Sequence, residues 1–269
     1  MRASLRWSGD EHVVAVLGDA VDLPTVLRVV DASQRLWRSD LSPVIVEMVP
    51  TWCSILVHVD PALISPTELS TSLHAFLADL PESGAVRLES RLVTLPVLYG
   101  GPAGPDIRLV AEANGVSTEE AVRRLAEGTH FVGMISFTPG QANCMWLEAE
   151  LALTAPKYAT PRTYTPEGTV GLGGSSVALY SVPSPGGFQM VGRMPVPVYS
   201  PYPILPAFEG SPILLRVGDR LRLESVDVER YDDIAQEVRE GRYAFQIQEG
   251  ELELSLPTAG VPHASPRGP

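Results

Sequence analysis

The sequence predicts an α+β protein with two domains, and three observations carry that prediction. The chain has 269 residues, which is more than a single hydrophobic core usually organises. Residues 1–97 show strand and helix patterns in the order β-α-β-β-α-β, which is the order of the ferredoxin-like motif. From residue 98 onward, short strand patterns are separated by glycine and proline, as is typical of a closed or nearly closed β-barrel.

The predicted ferredoxin-like domain spans residues 1–97. It contains strands at residues 12–17, 44–49, 54–59 and 91–97 and helices at residues 22–38 and 65–80. The strands are β-branched or alternate between apolar and polar residues, whereas the helices repeat apolar residues near a period of 3.6. Asp22 and Ser65, each followed by proline within two residues, are suited to cap the two helices.

The predicted barrel domain spans residues 98–256. Helices are predicted at residues 106–114, 117–127 and 232–239, and strands at residues 129–137, 170–172, 177–180, 189–191, 214–217, 220–224 and 243–248. Glycine and proline between residues 97 and 104 indicate the junction with the first domain. Residues 257–269 are rich in Pro, Gly and Ser, so this tail is predicted to be disordered.

Composition and charge exclude several classes of function. The net charge of −12 opposes nucleic-acid binding, which needs clustered cations. No apolar run approaches the roughly 18 residues of a membrane helix, and the N-terminus has no signal-peptide core, so we expect a cytoplasmic protein that makes no membrane contact. The two cysteines and five scattered histidines show no metal-ligand spacing. The sequence has no phosphate-binding loop and no nucleophile elbow. We therefore expect no metal and no cofactor bound by this chain alone.

Residues 137–195 are the part of the chain best suited to a binding site. Glycine and proline are concentrated there in five motifs, at residues 137–140, 156–162, 166–174, 184–188 and 192–195. Glycine lets a ligand or a second chain come close, and proline fixes its own φ. Such residues hold loops in one shape, and binding sites are commonly built on loops of that kind.

These motifs resemble the KipI / allophanate hydrolase subunit 1 family, in which Pro-Gly, Pro-Arg, Ser-Pro-Gly-Gly and Gly-Arg-x-Pro steps follow in the same order. The matching positions are Phe137, Pro139, Gly140, Pro161, Arg162, Pro166, Gly168, Val170, Gly171, Ser184–Gly187, Gly192, Arg193 and Pro195. The likeness covers nearly the whole chain. It implies that the barrel has a cyclophilin-like fold.

The resemblance also implies a component of an enzyme rather than a complete one. Family members such as the B subunit of bacterial 5-oxoprolinase act with a C subunit (allophanate hydrolase subunit 2) together with an A subunit, and the whole complex hydrolyses 5-oxoproline to glutamate using ATP. The implied function is that of a B-subunit-like component of such a hydrolase, active as a heteromer. The implied ligand is a small carboxylate or lactam, and ATP would be used by the complex.

Seven residues are expected to bind this ligand: Phe137, Pro139, Gly140, Arg162, Gly186, Gly187 and Arg193. An arginine presented by rigid backbone is suited to grip a carboxylate with two parallel hydrogen bonds. Gly186 and Gly187 can offer backbone amides to an oxyanion. The alternative is that each arginine ties loops together through backbone carbonyls and that the glycines serve only the turn. No catalytic residue is assigned.

Two departures from the family pattern keep other functions open. The family's Gly-Phe-x-Tyr-Leu falls on Gly140–Cys144, and its Gln-Thr-Gly falls on Ser176–Ala178. The change at Ser176–Ala178 removes the amide and the hydroxyl of the family's Gln-Thr-Gly. A chain without these polar groups suits a regulatory protein, since KipI itself inhibits a histidine kinase by direct contact. It also suits a stand-alone enzyme on a repurposed barrel that acts on a more apolar ligand.

Overall fold

A computed structural model describes residues 3–81 and 84–256. The chain forms two compact units. Among the described residues, the first contains residues 3–81, 84–89 and 251–256, and the second contains Ser90–Gly250. The tail predicted to be disordered, residues 257–269, lies outside the described residues. No helix in the described ranges is both long enough and apolar enough to cross a membrane.

The first unit is built on a four-stranded antiparallel sheet with two helices. Its elements are β1 (Ser4–Ser8), β2 (His12–Val16), α1 (Leu23–Trp37), β3 (Ile45–Pro50), β4 (Ser54–Val59) and α2 (Pro66–Ala78). The sheet order is β1-β2-β4-β3. Both predicted caps are present: the Asp22 side chain accepts a hydrogen bond from the Thr25 amide at 2.9 Å, and Ser65 forms a capping box with Glu68.

The strand-helix-strand-strand-helix part of the ferredoxin-like pattern is confirmed, but two strands differ from the prediction. The position beside β2 is held by β1, which pairs with β2 in a hairpin turned at Gly9. The segment after α2 is β5 (Gly84–Glu89), which pairs with β16 (Glu251–Leu256) rather than with the four-stranded sheet. The strand predicted at residues 91–97 belongs to the second unit.

The second unit contains a closed barrel of seven strands and three further strands. Its strands are β6 (Leu92–Tyr99), β7 (Thr129–Ile135), β8 (Ala142–Trp146), β9 (Arg162–Thr165), β10 (Thr169–Gly173), β11 (Ser176–Leu179), β12 (Ser184–Gly186), β13 (Gln189–Arg193), β14 (Arg220–Ser225) and β15 (Gln246–Gln248). The barrel order is β13-β10-β11-β8-β7-β14-β6, and β6 pairs back to β13 to close it. Strand β15 adds to β6, and β9 pairs with β12 as a separate ribbon. The mixed α+β fold class is thus as predicted.

Three helices accompany the barrel: α3 (Ile107–Ala113), α4 (Thr118–Glu127) and α5 (Val228–Arg239). All three were predicted, although α5 begins four residues earlier than expected. The strand expected at residues 214–217 is an irregular segment instead. Each unit has its own hydrophobic core, and the core of the second unit includes side chains from all three helices.

The division between the units differs from the predicted domain boundary. It falls between residues 89 and 90, whereas the sequence suggested residues 97 and 98. All six residues of β14 pair in parallel with residues 92–97 of β6, so this strand is part of the barrel wall. The glycine-rich residues 100–104 form a turn between β6 and α3, within the second unit.

Candidate functional site

A cleft of about 480 Å³ lies on the second unit, between the barrel and helix α5. Its walls come from four parts of the chain: the turn at residues 167–168, the residues just after β11, the end of β13 with the segment that follows it, and one face of α5. The polar residues that line it are Glu167, Tyr180, Ser181, Arg193, Tyr199, Ser200, Tyr231 and Arg239. The cleft therefore combines two guanidinium groups and one carboxylate with hydroxyl groups.

Arg193, one of the predicted site residues, is held in the cleft wall by one hydrogen bond. Its Nε donates to the Glu167 carbonyl oxygen at 3.1 Å. Within the described ranges, no carboxylate lies within 4.0 Å of Arg193 or of Arg239. Burial raises the pKa of the neighbouring Tyr231 hydroxyl, although the positive charge of Arg193 opposes that shift. The cleft therefore holds two guanidinium groups and the carboxylate of Glu167, and neither guanidinium forms an ion pair with a described residue.

The loop between β7 and β8 carries three predicted site residues and is fixed next to the cleft. Ser181, which lines the cleft, donates a hydrogen bond from Oγ to the Pro139 carbonyl at 2.6 Å. Gly140 has a φ of 73°, and a Cβ on it would lie 2.9 Å from the Cβ of Tyr199. Glycine is therefore needed here for both conformation and space. Phe137 in the same loop is 69% exposed, at a φ of 72°.

Arg162 lies in a different environment, at the β9–β12 ribbon. Its Nη2 donates to the Phe188 carbonyl at 2.7 Å, and its guanidinium stacks 4.6 Å from the centre of the Tyr158 ring. Its Nη1 is 4.0 Å from Asp106 Oδ2. The Arg162 side chain is 19% exposed, and Arg162 is not one of the residues that line the cleft.

Asp106 is the centre of the contacts around Arg162. The carboxylate of Asp106 accepts the Tyr158 hydroxyl at 2.7 Å and the Met190 amide at 2.7 Å. These bonds connect the residue before α3, the loop before β9 and the start of β13. Two nitrogens of Arg162, Nε and Nη1, are buried with no hydrogen-bond partner among the described residues. The contacts match the alternative in which this arginine ties loops together.

Gly186 and Gly187 lie with Arg162 rather than at the cleft. Gly186 is paired with Arg162 in the β9–β12 ribbon, and a Cβ on Gly186 would lie 2.4 Å from the hydroxyl oxygen of Tyr180. The Gly187 carbonyl accepts the Tyr158 amide at 2.7 Å. Both glycines thus have a packing or pairing role. Tyr180 connects the two neighbourhoods, because it also lines the cleft.

The structure therefore separates the seven predicted residues into two groups. The loop of Phe137, Pro139 and Gly140 is fixed beside the cleft that contains Arg193, whereas Arg162, Gly186 and Gly187 lie together at the β9–β12 ribbon. Sequence analysis did not identify Tyr231 and Arg239, which reach the cleft from α5. Their only sequence signal is the helical pattern of that segment, and this pattern does not say which strand the helix packs against.

His130 and Cys144 are internal residues and do not belong to this site. His130 in β7 is fully buried, and its Nε2 donates to the Leu125 carbonyl at 2.9 Å. Burial lowers the pKa of His130 to about 4. Burial likewise raises the pKa of the Cys144 thiol, which keeps it protonated and unreactive.

These features define a two-unit α+β protein. One unit is a sheet packed against helices, and the other is a closed seven-stranded barrel of cyclophilin-like type with a cleft in its wall. The family model "Carboxyltransferase domain, subdomain C and D" matches residues 3–208. The chain belongs to this family, and the resemblance inferred from its motifs is confirmed.

Two relatives align over most of their own length. The chain is 28% identical to the B subunit of 5-oxoprolinase from Bacillus subtilis (strain 168) over 241 residues, which cover 86% of this chain and 96% of the relative. It is 32% identical to the B subunit of 5-oxoprolinase from Escherichia coli O157:H7 over 222 residues, which cover 82% of this chain and 95% of the relative.

Solved structures show the same fold within longer chains. The crystal structure of the K. lactis urea amidolyase superposes with a TM-score of 0.78 at 22% identity, over 93% of this chain and 16% of that chain. The structure of TTHA0988 superposes with a TM-score of 0.64 at 27% identity, over 83% of this chain and 40% of that chain. Both solved proteins therefore extend well beyond the region that this chain resembles.

Proposed function

We propose that this chain is the B-subunit-like component of a 5-oxoprolinase-type complex, an ATP-dependent amidohydrolase. Its near full-length likeness to two proteins named as the B subunit of 5-oxoprolinase supports this assignment. The proposed partners are a C-subunit-like protein (allophanate hydrolase subunit 2) together with an A subunit, and ATP is used by the complex rather than bound by this chain alone. The proposed compartment is the cytoplasm, where both cysteines would remain reduced.

The proposed ligand is a small molecule with a carboxylate and a lactam or amide group. The observation that supports it is the guanidinium of Arg193 in the cleft, which has no carboxylate partner within 4.0 Å in the described part of the chain. A planar guanidinium forms two parallel hydrogen bonds with a carboxylate. Arg239 adds a second positive charge, and Ser181 and Tyr231 place hydroxyl groups in the same cleft.

Activity of the reconstituted complex tests the assignment. We expect the purified chain alone to show no ATP-dependent hydrolysis of 5-oxoproline, and we expect activity to appear when the two partner proteins are added. Turnover by the isolated chain, verified free of host enzyme, would contradict the split-enzyme assignment. Full activity of the partners without this chain would contradict it equally.

Arginine variants test the ligand site within that complex. Arg193→Ala should weaken ligand binding by roughly 1.5–3 kcal/mol, the range for hydrogen bonds to charged groups. Arg193→Lys should restore little, because an ammonium group lacks the planar fork. Arg222→Ala is the matched control, since Arg222 is an exposed arginine on barrel strand β14 and does not line the cleft. Equal KM values for the Arg193→Ala and Arg222→Ala complexes would rule out Arg193 as the carboxylate-binding group.

A KipI-like regulatory role is the second candidate. Phe137 and Tyr202 are 69% and 72% exposed on the two segments that contact each other at Gly140 and Tyr199. Exposed aromatic side chains are enriched in protein–protein interfaces. Under this alternative, the chain alone would bind a histidine kinase and lower its autophosphorylation, and the mixture with both partner proteins would show no hydrolysis of 5-oxoproline.

A further inference from the structure

Two histidines lie face to face on the sheet of the first unit. His12 of β2 and His58 of β4 are directly opposite each other in the antiparallel register. Their ring centres are 4.3 Å apart, and their planes are nearly parallel, at 8°. Glu11, the residue before β2, places its Oε2 atom 3.8 Å from Nε2 of His58. Three potential metal-ligating side chains thus meet at one end of this sheet.

The two histidine side chains are on the face of the sheet away from the core. Their strand neighbours Val13 and Val57 are fully buried, and side chains alternate between the two faces of a strand. His12 and His58 are partly exposed, and Glu11 is exposed. An ion from solvent can therefore reach all three residues.

We propose that Glu11, His12 and His58 form a binding site for a divalent transition-metal ion of the zinc class. One ligand atom from each residue lies within 4.8 Å of the others. Ligands bound at 2.0–2.1 Å in a tetrahedral site are about 3.4 Å apart, so these atoms need to move little. The two imidazole rings must also rotate out of their parallel stack, so that one nitrogen lone pair of each ring faces the ion.

The donor set determines which ions fit. Two imidazole nitrogens and one carboxylate oxygen suit zinc, nickel or copper, whereas magnesium and calcium prefer oxygen ligands alone. Three protein ligands leave a fourth position for water. The protein's net charge of −12 also favours cation binding. This site is separate from the proposed ligand cleft and does not depend on the proposed function.

The alternative is that the two imidazole rings only stack and that Glu11 only pairs with His58. Equilibrium dialysis of the untagged full chain against zinc chloride separates the two. We expect one zinc ion per chain and a higher melting temperature with zinc, because a ligand that binds only the folded state stabilises it. Magnesium chloride at the same concentration should produce neither effect. The absence of zinc binding by the wild-type chain would overturn the proposal.

Variants locate the ion. His12→Phe keeps an aromatic ring in the stack and removes the nitrogen donor, and His58→Phe does the same on β4. Each should weaken zinc binding by at least the roughly 10- to 100-fold seen when residues around a metal site are changed, and Glu11→Gln should weaken it as well. His74→Ala is the matched control, since His74 is exposed on α2 and, among the residues that the structure describes, hydrogen-bonds only to Ser70 of its own helix. Zinc binding that survives both phenylalanine changes, in chains with wild-type circular dichroism, would overturn the assignment.

Discussion

At the scale of single residues, the two arginines of the family motifs have different surroundings. Arg193 lines an open cleft, whereas Arg162 bonds to the Phe188 carbonyl, stacks on Tyr158 and lies near Asp106. An arginine with contacts like those of Arg162 mainly stabilises the loops that it connects. The first prediction follows from this difference.

Arg162→Ala should lower the free energy of unfolding by about 2–3 kcal/mol, through loss of a charge-assisted hydrogen bond and a stacked cation. Ligand affinity of the folded fraction should stay at the wild-type value. Thermal denaturation together with ligand titration measures both quantities, and Arg222→Ala again serves as the control. A wild-type melting temperature with weakened ligand binding would instead support Arg162 as the carboxylate clamp.

His130 provides a second prediction, on the pH dependence of stability. Its pKa is about 4 in the folded protein, against about 6.5 for an unperturbed histidine. Between these values the unfolded chain binds a proton that the folded chain does not, so stability falls as the pH falls from about 6.5 to 4. The full contribution of this residue is about 3 kcal/mol.

Many carboxylates titrate in the same pH range, so the contribution of His130 is obtained by comparing the wild-type chain with a variant that lacks this histidine. Urea unfolding of wild type and His130→Leu at pH 7 and at pH 4 gives two differences in free energy of unfolding. The wild-type difference should be the larger by about 3 kcal/mol. Equal differences would mean that His130 is not held neutral in the folded protein.

Residue identity and order alone predicted part of the site. The glycine and proline motifs indicated Arg193 and the Pro139-Gly140 loop, which lie together. The same motifs could not separate Arg162 from Arg193, because an arginine beside a turn looks the same whether it faces a cleft or a backbone carbonyl. The pairing of His12 with His58 was equally hidden, because it depends on strand register across more than forty residues.

At the scale of secondary-structure elements, the turn between β6 and α3 provides the third prediction. Gly104 packs so closely on β13 that an added Cβ would lie 1.9 Å from the Val191 carbonyl oxygen. Its amide also bonds to the Gly100 carbonyl at 2.8 Å. Because the obstacle is backbone rather than a flexible side chain, Gly104→Ala must displace the turn or the strand. We expect a loss of about 3 kcal/mol in the free energy of unfolding.

Gly210→Ala is the control for that change. Gly210 has no positive φ and no heavy atom within 4 Å of an added Cβ. Alanine there should change the free energy of unfolding by less than about 0.5 kcal/mol, as expected at an open surface position. Equal urea midpoints for the two variants would show that the β6–α3 turn relaxes freely.

Helices were predicted more reliably than strand partners. Asp22, Ser65 and Ser117 each accept a hydrogen bond from a backbone amide of the helix that they precede, and such caps are local in sequence. Strand β1 was missed, although Leu5 and Trp7 alternate with polar residues. The partner of β5 could not be predicted either, because β16 follows about 160 residues later and its pairing depends on the complete fold.

At the scale of the whole molecule, the chain enters the second unit at Ser90 and leaves it at Gly250. Every member of the second unit's hydrophobic core lies between Val93 and Ile247. A segment that contains a complete core and all the strands of a closed barrel is expected to fold alone. The length of the chain predicted two domains, and the structure divides into two compact units. The exact boundary between the units could not be predicted from the sequence, because a strand at a boundary shows the same alternation of apolar and polar residues whichever sheet it joins.

The fourth prediction compares two fragments, residues 90–250 and residues 98–256. The first keeps the whole barrel and should unfold in one cooperative transition. The second lacks residues 92–97, which provide all six β6 partners of β14, and so opens the barrel. It also lacks Arg91, whose Nε donates a hydrogen bond to Oδ1 of Asp219 at 2.9 Å. Asp219 is buried, with 2% of its surface exposed. Removing one partner of a buried ion pair costs about 3–5 kcal/mol. Circular dichroism and urea unfolding should therefore show a folded barrel for residues 90–250 only, and cooperative unfolding of residues 98–256 would place the boundary where the sequence suggested.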